Sequence, residues 1–217
     1  QKMKKALNLS HLRKEYQNGK LDIESVHADP IEQFRTWLHE AISSEIEEPT
    51  AMFLATVGVD LQPAARIVLL KHVDEKGFDF FTNYESRKGQ QIHENPQVAA
   101  TFFWKELERQ VRIEGWAEKL PPDDSDRYFA SRPVESRFGA AASPQSQVIF
   151  GREFLENKIT ELKQKHPDND VPRPEHWGGY RIKPARIEFW QGRENRLHDR
   201  IVYTSTPEKW IIERIAP

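Results

Sequence analysis

Four short groups of residues have the types and spacing for chemistry. Ser86-Arg87-Lys88-Gly89 sets a guanidinium and an ammonium side by side at a helix start, where backbone N–H groups lack intrahelical partners and the dipole is positive. That combination suits phosphate. A solvated helix start is the plain alternative, but basic charge there is mildly unfavourable unless an anion accompanies it. Tyr128, Arg132 and Ser136 follow at four-residue spacing. On a helix end they would stack on one side and could clamp a second phosphate; an arginine stabilising a helix C-terminus explains the spacing equally well.

Arg66 and Lys71 bracket the apolar run Ile67-Val68-Leu69-Leu70. In a regular strand these two cations point to opposite faces, so one ligand meets both only if the strand is interrupted or the ligand is long. On spacing alone, charged strand ends reaching the rim are the simpler account. The fourth group is Phe189-Trp190-Gln191-Gly192 followed by Arg196-Leu197-His198-Asp199-Arg200. In extended geometry Arg196, His198 and Arg200 would share a face, at a cost in repulsion unless an anion or an acid offsets it.

Composition removes several other chemistries. The chain has no cysteine, so thiolate zinc sites, disulfides and cysteine nucleophiles are excluded. There is no GxGxxG, no GxxxxGK[ST], no HxH or HExxH and no GxSxG, which leaves no sequence support for nucleotide-fold, metal or serine-hydrolase readings; no metal is expected. A formal charge of -2 offers no global attraction to nucleic acid. The basic and aromatic stretch Trp104 to Trp116, with its interleaved acids, is a weak case for such a module. No apolar run approaches the roughly 18 residues of a membrane helix, and Gln1 to Ser10 lacks a signal-peptide core. A cytoplasmic protein is expected.

These groups need elements to position them. Asp29-Pro30 caps an amphipathic helix over Pro30 to Glu47, with Ile31, Phe34, Trp37, Leu38, Ala41 and Ile42 as its apolar stripe. Strands are predicted over 51–57, 65–71, 78–82, 98–104, 109–116, 179–189, 199–204 and 209–215, and helices over 86–95, 121–131 and 152–166. The pattern is mainly β with peripheral α-helices, a closed or nearly closed barrel in one domain spanning 1–217. Lys165 to Pro174 is the one linker-like stretch.

Taken in order, the chain resembles the pyridoxine (pyridoxamine) 5'-phosphate oxidase family. The resemblance runs from His11-Leu-Arg-Lys-Glu-Tyr16 through Arg66 to Lys71, Phe81-Thr-Asn, Ser86-Arg-Lys88, Glu108-Arg-Gln-Val111, Tyr128 to Pro133 and Gln145-Ser146. It continues with Trp177-Gly-Gly-Tyr180, Glu188-Phe-Trp-Gln-Gly192, Arg196-Leu-His-Asp-Arg200 and Arg214-Ile-Ala-Pro217. The resemblance implies an FMN-binding split β-barrel, a homodimer with two FMN sites at its interface, and residues 1–29 as a lid-like segment. FMN would be held by Arg66, Ile67, Val68, Leu69, Lys71, Phe81, Thr82, Arg87, Lys88, Gln110, Gln145, Ser146, Trp190 and Arg200. The substrate, pyridoxamine or pyridoxine 5'-phosphate, would meet Lys71, Tyr128, Arg132, Ser136, Arg196 and His198. Arg13 and Tyr16 would close over it.

The implied reaction oxidises the substrate to pyridoxal 5'-phosphate, with O2 as acceptor and H2O2 as product. Arg196 and His198 are the candidate catalytic residues. Three departures fall in this pattern: Gln147 where a second serine is usual, Ser136-Arg137-Phe138-Gly139 in place of Ser-Gln-Ile-Gly, and Phe81 where tyrosine is common. Two rival readings stay open, a split-barrel flavin oxidoreductase with another donor and a noncatalytic carrier of flavin or pyridoxal phosphate.

Overall fold

The computed structural model describes residues 9, 15–17 and 19–217; Arg13 lies outside them. Nine strands form a single sheet. β1 (Ala51–Val57) and β2 (Pro63–Leu69) make the first hairpin, β3 (His72–Asp74) and β4 (Gly77–Asn83) the second, and β5 (Gln97–Trp104) pairs with β6 (Arg109–Lys119). β7 (Trp177–Gln191), β8 (Asp199–Ser205) and β9 (Trp210–Arg214) complete it. The order is β2-β1-β5-β6-β7-β4-β3, with β8 and β9 continuing from β7, and the sheet curls until β2 approaches β4. All its pairings are antiparallel.

β7 splits the barrel. One of its edges pairs with β6; the other pairs with β4 over its first part (Phe80↔Tyr180) and with β8 over its last (Trp190↔Arg200). Pro184, which lacks a ladder N–H, sits at the changeover between the two outer partners and beside the irregularity between Glu114 and Gly115. A Cβ at Gly115 would come within 2.0 Å of the Lys183 carbonyl oxygen, so the bulge needs glycine.

Alternation along the strands fills the interior with Met52, Leu54, Phe78, Phe80, Phe102, Val111, Ile113, Ile187, Phe189 and Tyr203, all fully buried. Helix α1 (Pro30–Ser43) starts where the Asp29 side chain accepts from Ile31 N at 2.8 Å. It drives Phe34 edge-on against Phe78 (4.9 Å) and Trp37 edge-on against Phe189 (5.2 Å). The helix ends four residues before the expected Glu47, and Ile42, expected on its buried stripe, is exposed.

The remaining helices are α2 (Arg87–Glu94), α3 (Pro122–Ser131), α4 (Val134–Ala142) and α5 (Arg152–Lys165). The second strand spans 63–69, so Lys71 lies beyond its end. β3 and α4 have no counterpart in the sequence reading, and α4 corrects it. Arg132 precedes Pro133 and adopts φ -73°, ψ 150°, which ends α3 and turns the chain before α4 begins. Tyr128, Arg132 and Ser136 therefore do not share one helix side. The 194–196 segment is a second correction, because Asn195 and Arg196 have φ of 55° and 61° and form a tight turn. Arg196, His198 and Arg200 do not form one extended face. Among the described residues no helix is long and apolar enough to cross a membrane.

One buried ion pair ties β4 to β7: Arg181 donates from Nε and Nη2 to Asp79 at 2.7 and 2.8 Å. The backbone of Asp79 also accepts from Lys71 N at 2.8 Å, which fixes the start of the β2–β3 connection. Arg181→Met strands the buried carboxylate. It is expected to cost about 3–5 kcal/mol, read as a lower urea midpoint at unchanged slope.

Candidate functional site

A cleft of about 500 Å3 opens where the end of β2, β4, the start of α2, the α3–α4 corner and the 143–146 loop converge. Of the residues expected at a site, Ile67, Val68, Leu69, Lys71, Phe81, Thr82, Lys88, Tyr128, Arg132, Ser136 and Gln145 line it. Ser131, Pro133 and Trp177 also line it without having been anticipated. Trp177 stands in the quoted Trp-Gly-Gly-Tyr motif, but nothing in its local pattern signals a role.

Two cationic and hydroxyl cradles divide the cleft. In the first, Ser86 caps α2 by accepting from Gly89 N, and Lys88 turns inward. Its Nζ donates to Thr82 Oγ1 at 2.8 Å, to Gln145 Oε1 at 3.0 Å and to Ser86 Oγ at 3.3 Å. Burial, with the Arg66 charge second, pulls the Lys88 pKa down to about 8. Arg66 is tied back to β1 and α2 rather than lining the cleft. It donates to Thr56 Oγ1 at 2.5 Å and Leu54 O at 3.2 Å, with a longer reach to Gln91 Oε1. Burial and the neighbouring Arg87 lower its pKa. Arg87 is exposed at the first position of α2, and Ser146, at φ 71°, is exposed beside Gln145. Three cations thus surround one helix start.

The second cradle holds Tyr128, Arg132 and Ser136 at the α3–α4 corner. The Arg132 guanidinium lies 4.7 Å from the Trp177 ring centre, and its Nη1 is buried without a hydrogen-bond partner. Burial lowers the pKa of Arg132 and raises that of Tyr128, which the arginine partly offsets. An orphaned, buried donor on a cation suits an anionic acceptor. Phe81 and Tyr128 stack at 3.8 Å to form an aromatic wall between the cradles. The phenylalanine in place of tyrosine keeps this stack.

Gln110, Trp190, Arg196, His198, Arg200 and Tyr16 are not in this cleft. Phe81 faces Gly179 on β7 whereas Gln110 faces Trp190, roughly 35 Å of strand further on at about 3.3 Å per residue. There they form a second cluster. Tyr16 packs edge-on against Trp190 (5.6 Å) and His198 (5.7 Å). His198 Nδ1 accepts from Arg193 N at 3.1 Å, and Arg196 is exposed on its turn. Burial and Arg196 lower the His198 pKa against the pull of Asp199. Arg200 is anchored by Glu188, a carboxylate only 1% exposed, at 2.8 Å and by the Ala216 carbonyl.

A split barrel with two cationic and hydroxyl cradles in one cleft and a separate aromatic and cationic cluster places the chain in the class of flavin-binding split-barrel proteins. Residues 38–166 match the family model for pyridoxamine 5'-phosphate oxidase, and residues 177–217 match that for the pyridoxine 5'-phosphate oxidase C-terminal dimerisation region. A pyridoxine/pyridoxamine 5'-phosphate oxidase of Cyanothece sp. is 54% identical over 97% of this chain and 99% of its own. That of Actinobacillus pleuropneumoniae serotype 3 is 56% identical over 97% and 100%. The crystal structure of PhzG from Burkholderia lata 383, in complex with tetrahydrophenazine-1-carboxylic acid, superposes with TM-score 0.85 at 30% identity, covering 89% of this chain and 95% of that one. An FMN-binding, pyridoxamine 5'-phosphate oxidase-related protein of Nostoc punctiforme shares the fold at TM-score 0.68 and 18% identity, over 85% of this chain and 97% of that one. This chain belongs to the pyridoxine/pyridoxamine 5'-phosphate oxidase family, whose cofactor is FMN.

Lys88 makes the affinity of the first cradle for a phosphate ester pH-dependent. A phosphate ester is a dianion above about pH 6, while Lys88 is protonated only below about 8. FMN affinity is expected to fall as pH rises through about 8, by up to about tenfold per unit, and Lys88→Arg should hold it flat to pH 10. Titration of flavin fluorescence checks both. In the cofactor-free chain the sign reverses: the unfolded state binds the extra proton between about pH 8 and 10.5, so the cost of burying Lys88 fades as pH rises across that window.

Proposed function

We propose that this chain oxidises pyridoxamine 5'-phosphate and pyridoxine 5'-phosphate to pyridoxal 5'-phosphate in an FMN site completed by a second copy of itself. The observation that carries this reading is the pair of phosphate cradles in one cleft. Cofactor and substrate each bring a phosphate ester, and each cradle offers cationic and hydroxyl donors suited to one. The cofactor fits the first cradle. Lys88 and Thr82 are there to receive its phosphate, with Arg66, Arg87, Gln145 and Ser146 around it, while Ile67, Val68, Leu69 and Lys71 border the cleft along the end of β2 and beyond. Arg132, Tyr128 and Ser136 receive the substrate phosphate.

When bound, FMN would supply the redox chemistry, an acceptor for hydride from the substrate C4' and a carrier of those electrons to O2 as H2O2; from the amine substrate, water would then release ammonia to leave the aldehyde. The protein supplies position and electrostatics. Gln110, Trp190, Arg196, His198 and Arg200 serve the cleft of the partner protomer, with Tyr16 and the expected Arg13 closing over it. The dimerisation region contains most of this half-site, which supports that assignment. His198 has a defined task. Because its Nδ1 accepts from the Arg193 backbone, the neutral ring carries its proton on Nε2 and presents a donor there. It therefore orients a substrate oxygen or nitrogen, and burial, with the Arg196 charge second, lowers its pKa against the pull of Asp199.

The decisive experiment is a visible spectrum of the purified protein with pyridoxamine 5'-phosphate, first without oxygen and then with it. The flavin band is expected to bleach and return with air as pyridoxal 5'-phosphate forms; a band that never bleaches overturns the reading. The shared site makes a second expectation. Arg132→Ala should raise KM and Arg196→Leu should lower turnover, each with FMN retained. A mixed dimer with one variant in each protomer has one intact site and should regain about half of wild-type activity per dimer.

A further inference from the structure

Arg132 is held without an acidic partner. Among the described residues no carboxylate lies within ion-pair distance of it, although it is half-buried. Its guanidinium rests against aromatic rings: 4.7 Å from the centre of Trp177 and 5.9 Å from that of Phe129. A guanidinium stacked on an aromatic face keeps its N–H edge free, whereas a carboxylate partner would occupy that edge.

Trp177 is itself rigidly placed. It is 6% exposed, lies nearly parallel to Phe81 (5.7 Å, 15°) and Tyr128 (6.1 Å, 7°), and meets Phe129 edge-on at 5.1 Å. Its backbone is pinned three ways. The amide donates to Pro174 O at 3.0 Å, the strand register pairs it with Asn83, and its carbonyl accepts from Arg173 Nη1 at 2.6 Å. Arg173 also donates to Asp126 on α3 at 2.5 Å. The start of β7 and the middle of α3 are thereby locked together, with the indole ring between them and the guanidinium.

We infer that Trp177 is the positioning residue that holds Arg132 with its donor edge toward the cleft, and that it thereby sets the preference for phosphorylated over unphosphorylated ligands. This rests on the functional reading above, in which Arg132 receives the substrate phosphate. An arginine before proline has its backbone set by sterics, but its long side chain has many rotamers. The indole face selects one of them. The price of an unpaired buried cation is then met only by a ligand that carries an anion to that end of the cleft.

The test uses the FMN-loaded protein and two ligands that cannot be oxidised, 4-deoxypyridoxine 5'-phosphate and 4-deoxypyridoxine, measured by equilibrium dialysis. Trp177→Leu is expected to weaken the phosphate ester about tenfold and leave the unphosphorylated ligand and the FMN content unchanged. Trp177→Phe, which keeps a smaller aromatic face, should fall between, and it decides the matter if the leucine variant does not fold. Equal weakening of both ligands would reduce Trp177 to a structural role and overturn the inference, as would no change in either. A wild-type protein that binds the two ligands equally would instead overturn the functional reading, and the inference with it.

Discussion

The three-sided pairing of β7 is the constraint on which the rest of the molecule depends. A strand that keeps β6 along one edge while exchanging β4 for β8 along the other cannot belong to a simple closed barrel, and the two outer partners must diverge. Each then carries its own half of a site. β4 brings Phe81 and Thr82 to the cleft and anchors Trp177 beside them, while β8 brings Arg200 to Trp190. The changeover falls at Pro184, where a missing N–H costs no hydrogen bond to either outer strand. The same strand therefore separates two sets of residues that the proposed function needs together, which is why that reading calls on a second copy of the chain.

The cleft is built by withholding carboxylates. Lys88, Arg66, Arg87 and Arg132 gather around it; burial lowers the pKa of Lys88, Arg66 and Arg132, and a neighbouring arginine adds to this at Lys88 and Arg66. Elsewhere the protein pairs its arginines conventionally: Arg181 with Asp79, Arg200 with Glu188, Arg214 with Asp199 and Asp22. The contrast marks the cleft as the place where countercharge comes from a ligand. Neutral partners do the holding instead, namely Thr82, Gln145 and Ser86 for Lys88, Thr56 and backbone carbonyls for Arg66, and aromatic faces for Arg132.

Much of this was legible in the sequence. Alternation and turn residues located eight of the nine strands, because burial on one face imposes period two whatever the topology. The Asp29-Pro30 cap and the helix start at Ser86 were legible because their signals are local. β3 is too short to show a period. The break at Arg132-Pro133 was visible as a proline, but that a second helix would follow depends on α4 packing against α5. The extended face drawn for Arg196 to Arg200 failed because two left-handed residues, neither of them glycine, turn the chain there. Eleven of the residues that the family resemblance implied line one cleft, whereas the division into two clusters depends on strand length. Trp177 shows the limit in small: its function is a contact with a residue 45 positions earlier, and no periodicity encodes that.

The seam between β4 and β7 has a further consequence, in time rather than in space. Phe81 and Gly179 are neighbours in the sheet although about a hundred residues separate them in the chain, whereas β1 with β2, β3 with β4 and β8 with β9 are hairpins that close locally. Loop-closure entropy places such distant pairings late in folding. The cleft lies across that seam, so its two sides meet only after the hairpins and the aromatic interior have formed. A nascent chain thus acquires its ligand-binding surface last, and cofactor capture reports on a completed fold.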